Sequence, residues 1–355
     1  MSLLSRGSIR MKIQYLLQAN RLYLIEDLKQ KIVKNGEKLT KSTIELSVFT
    51  KWRKEKNEFG DVILVIQFQK TGSILDEQLL DLGGQLQALF KSKLERRSNQ
   101  LDFVEYRLIY KQSKDYEVYD IYSPISYERN GYINLNRYHK WTISKPAHLL
   151  IAGKSGSGKS LLLNKIVHSL SKETQLENIY IADGKMSDLK RYAKAIKLPK
   201  IANNIDEIYD FVSEINDEMM KLYEADEASG DPVFLVIDEY IAITAYFEAN
   251  KKKAKELTRM LTNILVLGRA VGYNVILASQ RVSQDTFGSS VMRGQFGIKI
   301  QLGNATADDY KMIFDTQRKE SELLERKAGE GYLSIDNGDV LLFERTLIDD
   351  ESPLA

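Results

Sequence analysis

The chain has 355 residues, 43% of them hydrophobic, enough for roughly two or three domains with cores of their own. Its 51 lysines and arginines stand against 49 aspartates and glutamates, so whole-chain charge selects neither for nor against a nucleic-acid partner, and any basic surface must be local. The absence of cysteine excludes disulfides, thiolate catalysis and thiolate metal sites, and the 3 histidines (His139, His148 and His168) are too scattered for a zinc site. No run approaches the roughly 18 to 20 apolar residues of a membrane span, and the first residues lack the apolar stretch of a signal peptide, so the expectation is a cytoplasmic chain.

Residues 10–35 mix apolar and charged side chains and read as a helix. Residues 43–50 alternate with period two, and 61–69 form a strand by their β-branched content, with Glu58-Phe59-Gly60-Asp61 as a hairpin turn before them. Residues 75–94 return to helical spacing and end among Lys91, Lys93, Arg96 and Arg97, the charge favoured near a helix C-terminus. A third strand is expected at 103–110. This order predicts a small α+β domain over 1–145 with a mostly antiparallel sheet. The basic cluster Lys51, Arg53, Lys54 and Lys56 fits a solvated hairpin rim better than a nucleic-acid contact. Asn130-Gly131 and Lys145-Pro146 punctuate a connecting segment.

From 146 onward strands and helices alternate, the mark of an α/β domain with a mostly parallel sheet, here taken to 348. Strands are expected at 148–152, 178–182, 233–238, 274–278 and 297–301. The helix over 205–223 puts Ile205, Ile208, Val212, Ile215, Met219 and Leu222 on one core-facing stripe. Residues 331–345 suggest a hairpin around Asp336-Asn337-Gly338, and 349–355 a short acidic tail.

Between the first of those strands and the helix after it lies Gly153-Lys154-Ser155-Gly156-Ser157-Gly158-Lys159-Ser160-Leu161, which satisfies G-x-x-x-x-G-K-[ST]. Polyphosphate binding needs each residue type for its own reason. The glycines let the backbone curl so that N–H groups point at phosphate oxygens, Lys159 supplies a point charge to the β- and γ-phosphates, and the Ser160 hydroxyl ligates Mg²⁺ carried by the nucleotide. By chance such a pattern arises in roughly one chain in a hundred of this length, so an accidental surface turn is a poor competitor.

Two further constellations carry chemistry. Phe234-Leu235-Val236-Ile237-Asp238-Glu239-Tyr240 ends an apolar strand in two carboxylates, one (Asp238) suited to hold Mg²⁺ and the next (Glu239) to polarise an attacking water. Gln280 closes a later apolar strand in Ala278-Ser279-Gln280-Arg281, where a neutral amide suits a γ-phosphate sensor. Arg269, in Gly268-Arg269-Ala270-Val271-Gly272, ends the helix before that strand. From the residues alone, a favourable charge at a helix C-terminus is better supported there than an arginine finger.

Taken together, the phosphate loop, the Asp238-Glu239-Tyr240 strand end, the Gly268-Arg269-Ala270 helix end and the Ala278-Ser279-Gln280-Arg281 strand end resemble the FtsK/SpoIIIE branch of the HerA–FtsK translocases. The resemblance is greatest to the FtsK-like coupling proteins of Gram-positive conjugative elements, and it covers roughly residues 145–345. Ile181-Ala182-Asp183-Gly184-Lys185 stands where the family has Asp-Pro-Lys, and Val282 replaces another proline.

The resemblance implies a RecA-like P-loop ATPase motor that uses ATP and Mg²⁺, assembles as a ring, usually a hexamer, and moves DNA through its pore. ATP would then lie between subunits, with Arg269 as the finger and Gln280 as the sensor. DNA-facing loops would contain Lys251, Lys252 and Lys253, and Phe287 and Arg293. The implied partners are DNA, further copies of the chain, a relaxase and membrane secretion-channel proteins. Coupling proteins of this kind carry N-terminal membrane helices, which would hold the chain at the cytoplasmic face of the membrane if such an anchor precedes it. No winged-helix domain follows the motor, favouring plasmid or conjugative transfer over chromosome segregation. The alternative is a nucleotide-dependent docking platform that gathers a relaxase–DNA complex without translocating it.

Overall fold

The computed structural model describes residues 8–28, 33–34, 37–38, 42–57, 60–111, 129–136, 138–143, 148–282, 287, 290–317, 323, 326–338 and 340–344. The chain divides into two compact units, Met1–Tyr116 and Glu117–Ala355. Among the described residues no helix is long and apolar enough to cross a membrane.

In the first unit, α1 (Ile9–Ala19) starts at Ser8, whose Oγ accepts the Met11 N–H, and buries Ile13, Leu16 and Leu17. The helix expected over 10–35 stops there. Arg21 takes a left-handed φ of 53°, Leu22 turns into the core, and the chain continues as β1 (Tyr23–Leu28). Next come β2 (Val33–Lys34) and β3 (Glu37–Lys38), paired with each other, and β4 (Ser42–Ser47), paired with β1.

A four-stranded antiparallel sheet follows, built from β5 (Thr50–Lys56), β6 (Val62–Gln69), β7 (Lys93–Asn99) and β8 (Phe103–Lys111) in the order β5-β6-β8-β7. Alternate residues Leu64, Ile66 and Phe68, with Val104, Tyr106 and Leu108, form a core with α1 and with Leu79, Leu86 and Phe90. The helix expected over 75–94 is really α2 (Leu75–Gln78), a 3₁₀ turn (Leu79–Asp81) and α3 (Gly83–Phe90). The glycine pair Gly83-Gly84 weakens helix continuation, and Lys91, at φ 52°, ends it. Lys93, Arg96 and Arg97 therefore lie on a strand, where Arg97 Nη1 donates to the Leu80 carbonyl at 2.7 Å. On the edge strand β5, Lys51 and Lys54 are exposed and Arg53 pairs with Glu55 and Glu105, a solvated rim.

The second unit opens with the hairpin of β9 (Tyr132–Asn134) and β10 (Lys140–Thr142). It continues through β11 (Leu149–Ala152), α4 (Lys159–Glu173), β12 (Ile179–Asp183), α5 (Asp188–Ala195), β13 (Lys200–Ile201) and α6 (Ile205–Glu224). Next are β14 (Val233–Asp238), α7 (Tyr240–Phe247), α8 (Lys251–Leu267) and β15 (Tyr273–Ser279). The unit closes with α9 (Ser290–Gly294), β16 (Ile298–Leu302), α10 (Ala307–Phe314) and the hairpin of β17 (Glu330–Ile335) and β18 (Leu341–Glu344). The sheet order is β13-β12-β14-β15-β11-β16-β17-β18, parallel through the first six strands and antiparallel in the last two pairings. The expected α/β class and mostly parallel sheet are both present.

Both faces of that sheet are covered, and strand alternation sorts the apolar residues between them. Leu150, Tyr180, Leu235, Ile237, Val275 and Leu277 face α6, α7, α8 and α10. Leu149, Ile151, Ile181, Val236 and Ile276 face α4 and α5. On α6 the predicted stripe holds, with Ile208, Val212, Ile215 and Met219 buried and Ile205 and Leu222 partly so. Ile133, Leu135 and Trp141 of the β9–β10 hairpin sit in the second core, so this unit takes in residues that the sequence pattern assigned to a connecting segment.

Candidate nucleotide site

In a parallel sheet, the strand ends that share one edge bring together residues far apart in sequence, and ligands bind outside the C-terminal ends. Here β11 ends in the phosphate loop, β12 in Asp183, β14 in Asp238 and β15 just before Gln280. The loop needs its glycines. Gly158 caps α4 at φ 96°, and a Cβ on Gly153 would come within 2.6 Å of the Leu302 carbonyl oxygen. Ser157 N–H donates to the Lys154 carbonyl at 3.1 Å, and the Ser157 carbonyl accepts the Gly329 N–H at 2.8 Å, tying the loop to the turn before β17.

Lys159, at the start of α4, is buried, and its ammonium folds back onto the loop, 2.8 Å from the Gly153 carbonyl and 3.3 Å from that of Lys154. Burial depresses its pKa, with Glu239 and Asp238 opposing and Lys185 reinforcing that shift. Ser160 Oγ lies 3.4 Å from Asp238 Oδ2. The Asp238 carboxyl is pushed up to about 6 by burial and by the neighbouring Asp183 and Glu239 carboxylates, while the Glu239 N–H at 2.8 Å and Lys159 pull the other way. These oxygen donors suit a hard divalent cation such as Mg²⁺. Among the described residues no group of three or more histidines, cysteines or acids is set to hold a metal ion.

Glu239 occupies a left-handed position, φ 52°, between β14 and α7, rare for a non-glycine residue and concentrated at functional sites. Its Oε1 accepts from Gln280 Nε2 at 3.1 Å and pairs with Lys185 Nζ at 3.0 Å, while its buried Oε2 has no hydrogen-bond partner. Motif reading placed Lys185 in the Asp183-Gly184-Lys185 segment but gave it no role in the site. The turn that carries it is fixed from several sides. Asp183 accepts the backbone N–H groups of Lys185, Ser187 and Lys190, and Gly184 N–H donates to the Asp238 carbonyl at 3.0 Å. A Cβ at Gly184 would meet the Glu239 carbonyl oxygen at 2.7 Å, and proline there would lack the N–H. Glycine at 184 therefore suits both the close contact with Glu239 and the hydrogen bond to Asp238.

The structure thus gathers Lys159, Ser160, Asp238, Glu239 and Gln280 at one edge of the sheet. It does not bring Arg269 to them. Arg269 is exposed on a 3₁₀ turn (Gly268–Val271) that precedes β15, at the opposite edge, and β15 runs for roughly 20 Å between it and Gln280. Its charge instead bears on His148 at the start of β11, whose pKa falls to about 4 through burial and then this repulsion.

The expected DNA contacts separate. Lys251 and Lys252 are exposed at the start of α8. Lys253 is engaged by Asp206 at 3.0 Å and lies over the Tyr209 and Phe247 rings. Phe287 and Arg293 require correction. Phe287 is 1% exposed, packed against Tyr240 and Phe296, and Arg293 is 7% exposed, its Nη1 donating to Met312 Sδ. An aromatic ring and an arginine so enclosed present no surface to a polymer. Of the loop expected over 283–293, residues 283–286 and 288–289 lie outside the described residues.

A family profile described as the FtsK/SpoIIIE family matches residues 122–283. The Ftsk domain-containing protein YdcQ of Bacillus subtilis is 26% identical over 355 residues, covering 96% of this chain and 70% of that protein. The DNA translocase FtsK of Helicobacter pylori (strain J99) is 29% identical over 204 residues, covering 51% of this chain and 23% of that translocase. A structure of the pCW3 conjugation coupling protein TcpA, in monomer form with ATPγS, matches with a TM-score of 0.55 at 19% identity, over 86% of this chain and 90% of that one.

Proposed function

We propose that the chain, whose residues 122–283 match the FtsK/SpoIIIE family profile, is an ATP-driven DNA translocase acting as a coupling protein in conjugative or plasmid transfer. The observation that carries the reading is the clustering of Lys159, Ser160, Asp238, Glu239 and Gln280 at one sheet edge with Arg269 at the other. A site with four of its functions in one chain and a guanidinium at the far edge is completed by a neighbouring copy. The fold likeness to the TcpA conjugation coupling protein is what suggests transfer as the setting.

In this mechanism Lys159 leaves the Gly153 and Lys154 carbonyls and pairs with the β- and γ-phosphates. Ser160 and Asp238 would hold Mg²⁺, which would supply charge neutralisation at the triphosphate. Glu239 accepts a proton from the attacking water, Gln280 hydrogen-bonds the γ-phosphate, and Arg269 from the adjacent copy stabilises the charge that develops there. In a ring of copies the exposed Lys251 and Lys252 would meet DNA phosphates, giving salt-sensitive and sequence-tolerant binding. A relaxase and membrane secretion-channel proteins are the further partners that this role requires.

The reading is tested by ATPase activity with and without single- or double-stranded DNA at several ionic strengths. Stimulation by DNA is expected, and none under any condition would remove the translocase. One observation favours a docking platform instead: Phe287 and Arg293 are turned inward, leaving fewer groups to grip a moving strand. A stopped-flow translocation assay separates the two, since a platform binds DNA without processive movement.

A further inference from the structure

We propose that Lys185 is a positioning residue for ATP hydrolysis, fixing the orientation of the Glu239 carboxylate so that one of its oxygens stays available to the attacking water. The inference rests on the reading of Glu239 as the base. A glutamate's terminal torsion is broad and nearly two-fold, so burial alone does not fix which oxygen faces the reaction. Here two donors converge on the same oxygen. Lys185 Nζ lies 3.0 Å and Gln280 Nε2 3.1 Å from Oε1, and Oε2 is left buried without a partner. A buried carboxylate oxygen that accepts no hydrogen bond is costly, and the O–H of a bound water would donate the one it lacks.

The pair is asymmetric in a way that suits this role. The Glu239 side chain is 9% exposed and that of Lys185 is 46% exposed, so the ammonium reaches in from solvent to a nearly enclosed acid. Its backbone is also immobilised toward that acid. The Lys185 N–H is held at 2.9 Å by Asp183 Oδ1, and the preceding Gly184 N–H is held by the Asp238 carbonyl, one residue from Glu239. An ordinary surface ion pair has no such support on both backbones. The lysine charge also bears on Lys159, which places it near the triphosphate end of the site.

The test compares steady-state hydrolysis and ATP-analogue affinity for the unaltered chain, Lys185→Met and Lys185→Arg, in the presence of DNA. Because Lys185 is half exposed, its replacement leaves the packing of the unit intact, which thermal melting checks. Expected is a fall in kcat of about tenfold or more for Lys185→Met, with KM and analogue affinity within about twofold, and recovery of much of that loss in Lys185→Arg. In a Glu239→Gln background the further change to Met should have no effect on residual turnover, since the lysine acts through the acid. Unchanged kcat in Lys185→Met would overturn the assignment, and so would raised KM with kcat retained, which marks a phosphate-binding cation. Absence of turnover in the unaltered chain is a different failure, removing the ATPase reading and this inference together.

Discussion

Lys159 spends its ammonium on two loop carbonyls, contacts that phosphate oxygens would replace, and nothing else among the loop side chains carries that charge so deep. Lys159→Ala should therefore abolish nucleotide binding and turnover together, read by equilibrium binding of an ATP analogue and by phosphate release. Glu239→Gln keeps the shape and the Gln280 contact but removes the base. It should retain analogue affinity while losing about 10²- to 10⁴-fold in turnover. These residues were legible because each motif is contiguous: phosphate loop, carboxylate pair and strand-end glutamine all declare themselves within a few positions. Lys185 was not, because its nearness to Glu239 follows from the parallel register that sets Asp183 beside Asp238, a relation between strands 55 positions apart that no local pattern encodes. Phe287 and Arg293 fail for a related reason, since residue type suggests a DNA contact while burial is decided by the neighbouring Tyr240, Phe296 and Met312.

The helix that begins with the phosphate loop is clamped along its length by the β9–β10 hairpin. At its far end Glu173 accepts the Asn130 and Gly131 N–H groups at 2.8 and 3.0 Å. Glu173→Ala leaves both donors without that acceptor and should cost about 1 to 3 kcal/mol, with faster hydrogen exchange at residues 130 and 131 as the direct reading. Midway, Lys165 Nζ donates to the Leu135 carbonyl at 3.3 Å, and burial pulls its pKa down from 10.5 to about 7. The unfolded chain then binds more protons than the folded one between about pH 7 and 10.5, so stability rises with pH across that window, and at or below pH 7 the whole penalty is present. Lys165→Met should melt at a higher temperature than the unaltered chain at pH 7, and the difference should shrink toward pH 10; a constant difference would show that the amine does not titrate there. Periodicity identified the elements of this unit well because its strands are buried on both faces and its helices have one apolar stripe. It overran α1 and merged α2 with α3 because helical spacing continues past Arg21 and through Gly83-Gly84, where backbone conformation rather than side-chain pattern decides the boundary.

On the scale of the assembled molecule, the proposed translocase needs a pocket whose phosphate grip, carboxylates and glutamine come from one copy and whose arginine, Arg269, comes from the next. The two edges of the second unit's sheet set different demands: one positions the chemistry, and the 3₁₀ turn at the other must reach a neighbour. Motif order made the site's contents readable and already set one strand between Arg269 and Gln280; the fold adds that this strand lies between β14 and β11, so that the same length separates Arg269 from the whole site. Complementation tests the shared pocket most directly. Arg269→Ala and Glu239→Gln are each expected to be inactive alone in a DNA-loaded assembly. Mixed in equal amounts, they should regain up to about a quarter of the unaltered ATPase rate, because a pocket with intact Glu239 then sometimes meets a neighbour with intact Arg269. Full activity of Arg269→Ala alone, or no recovery on mixing, would contradict the account.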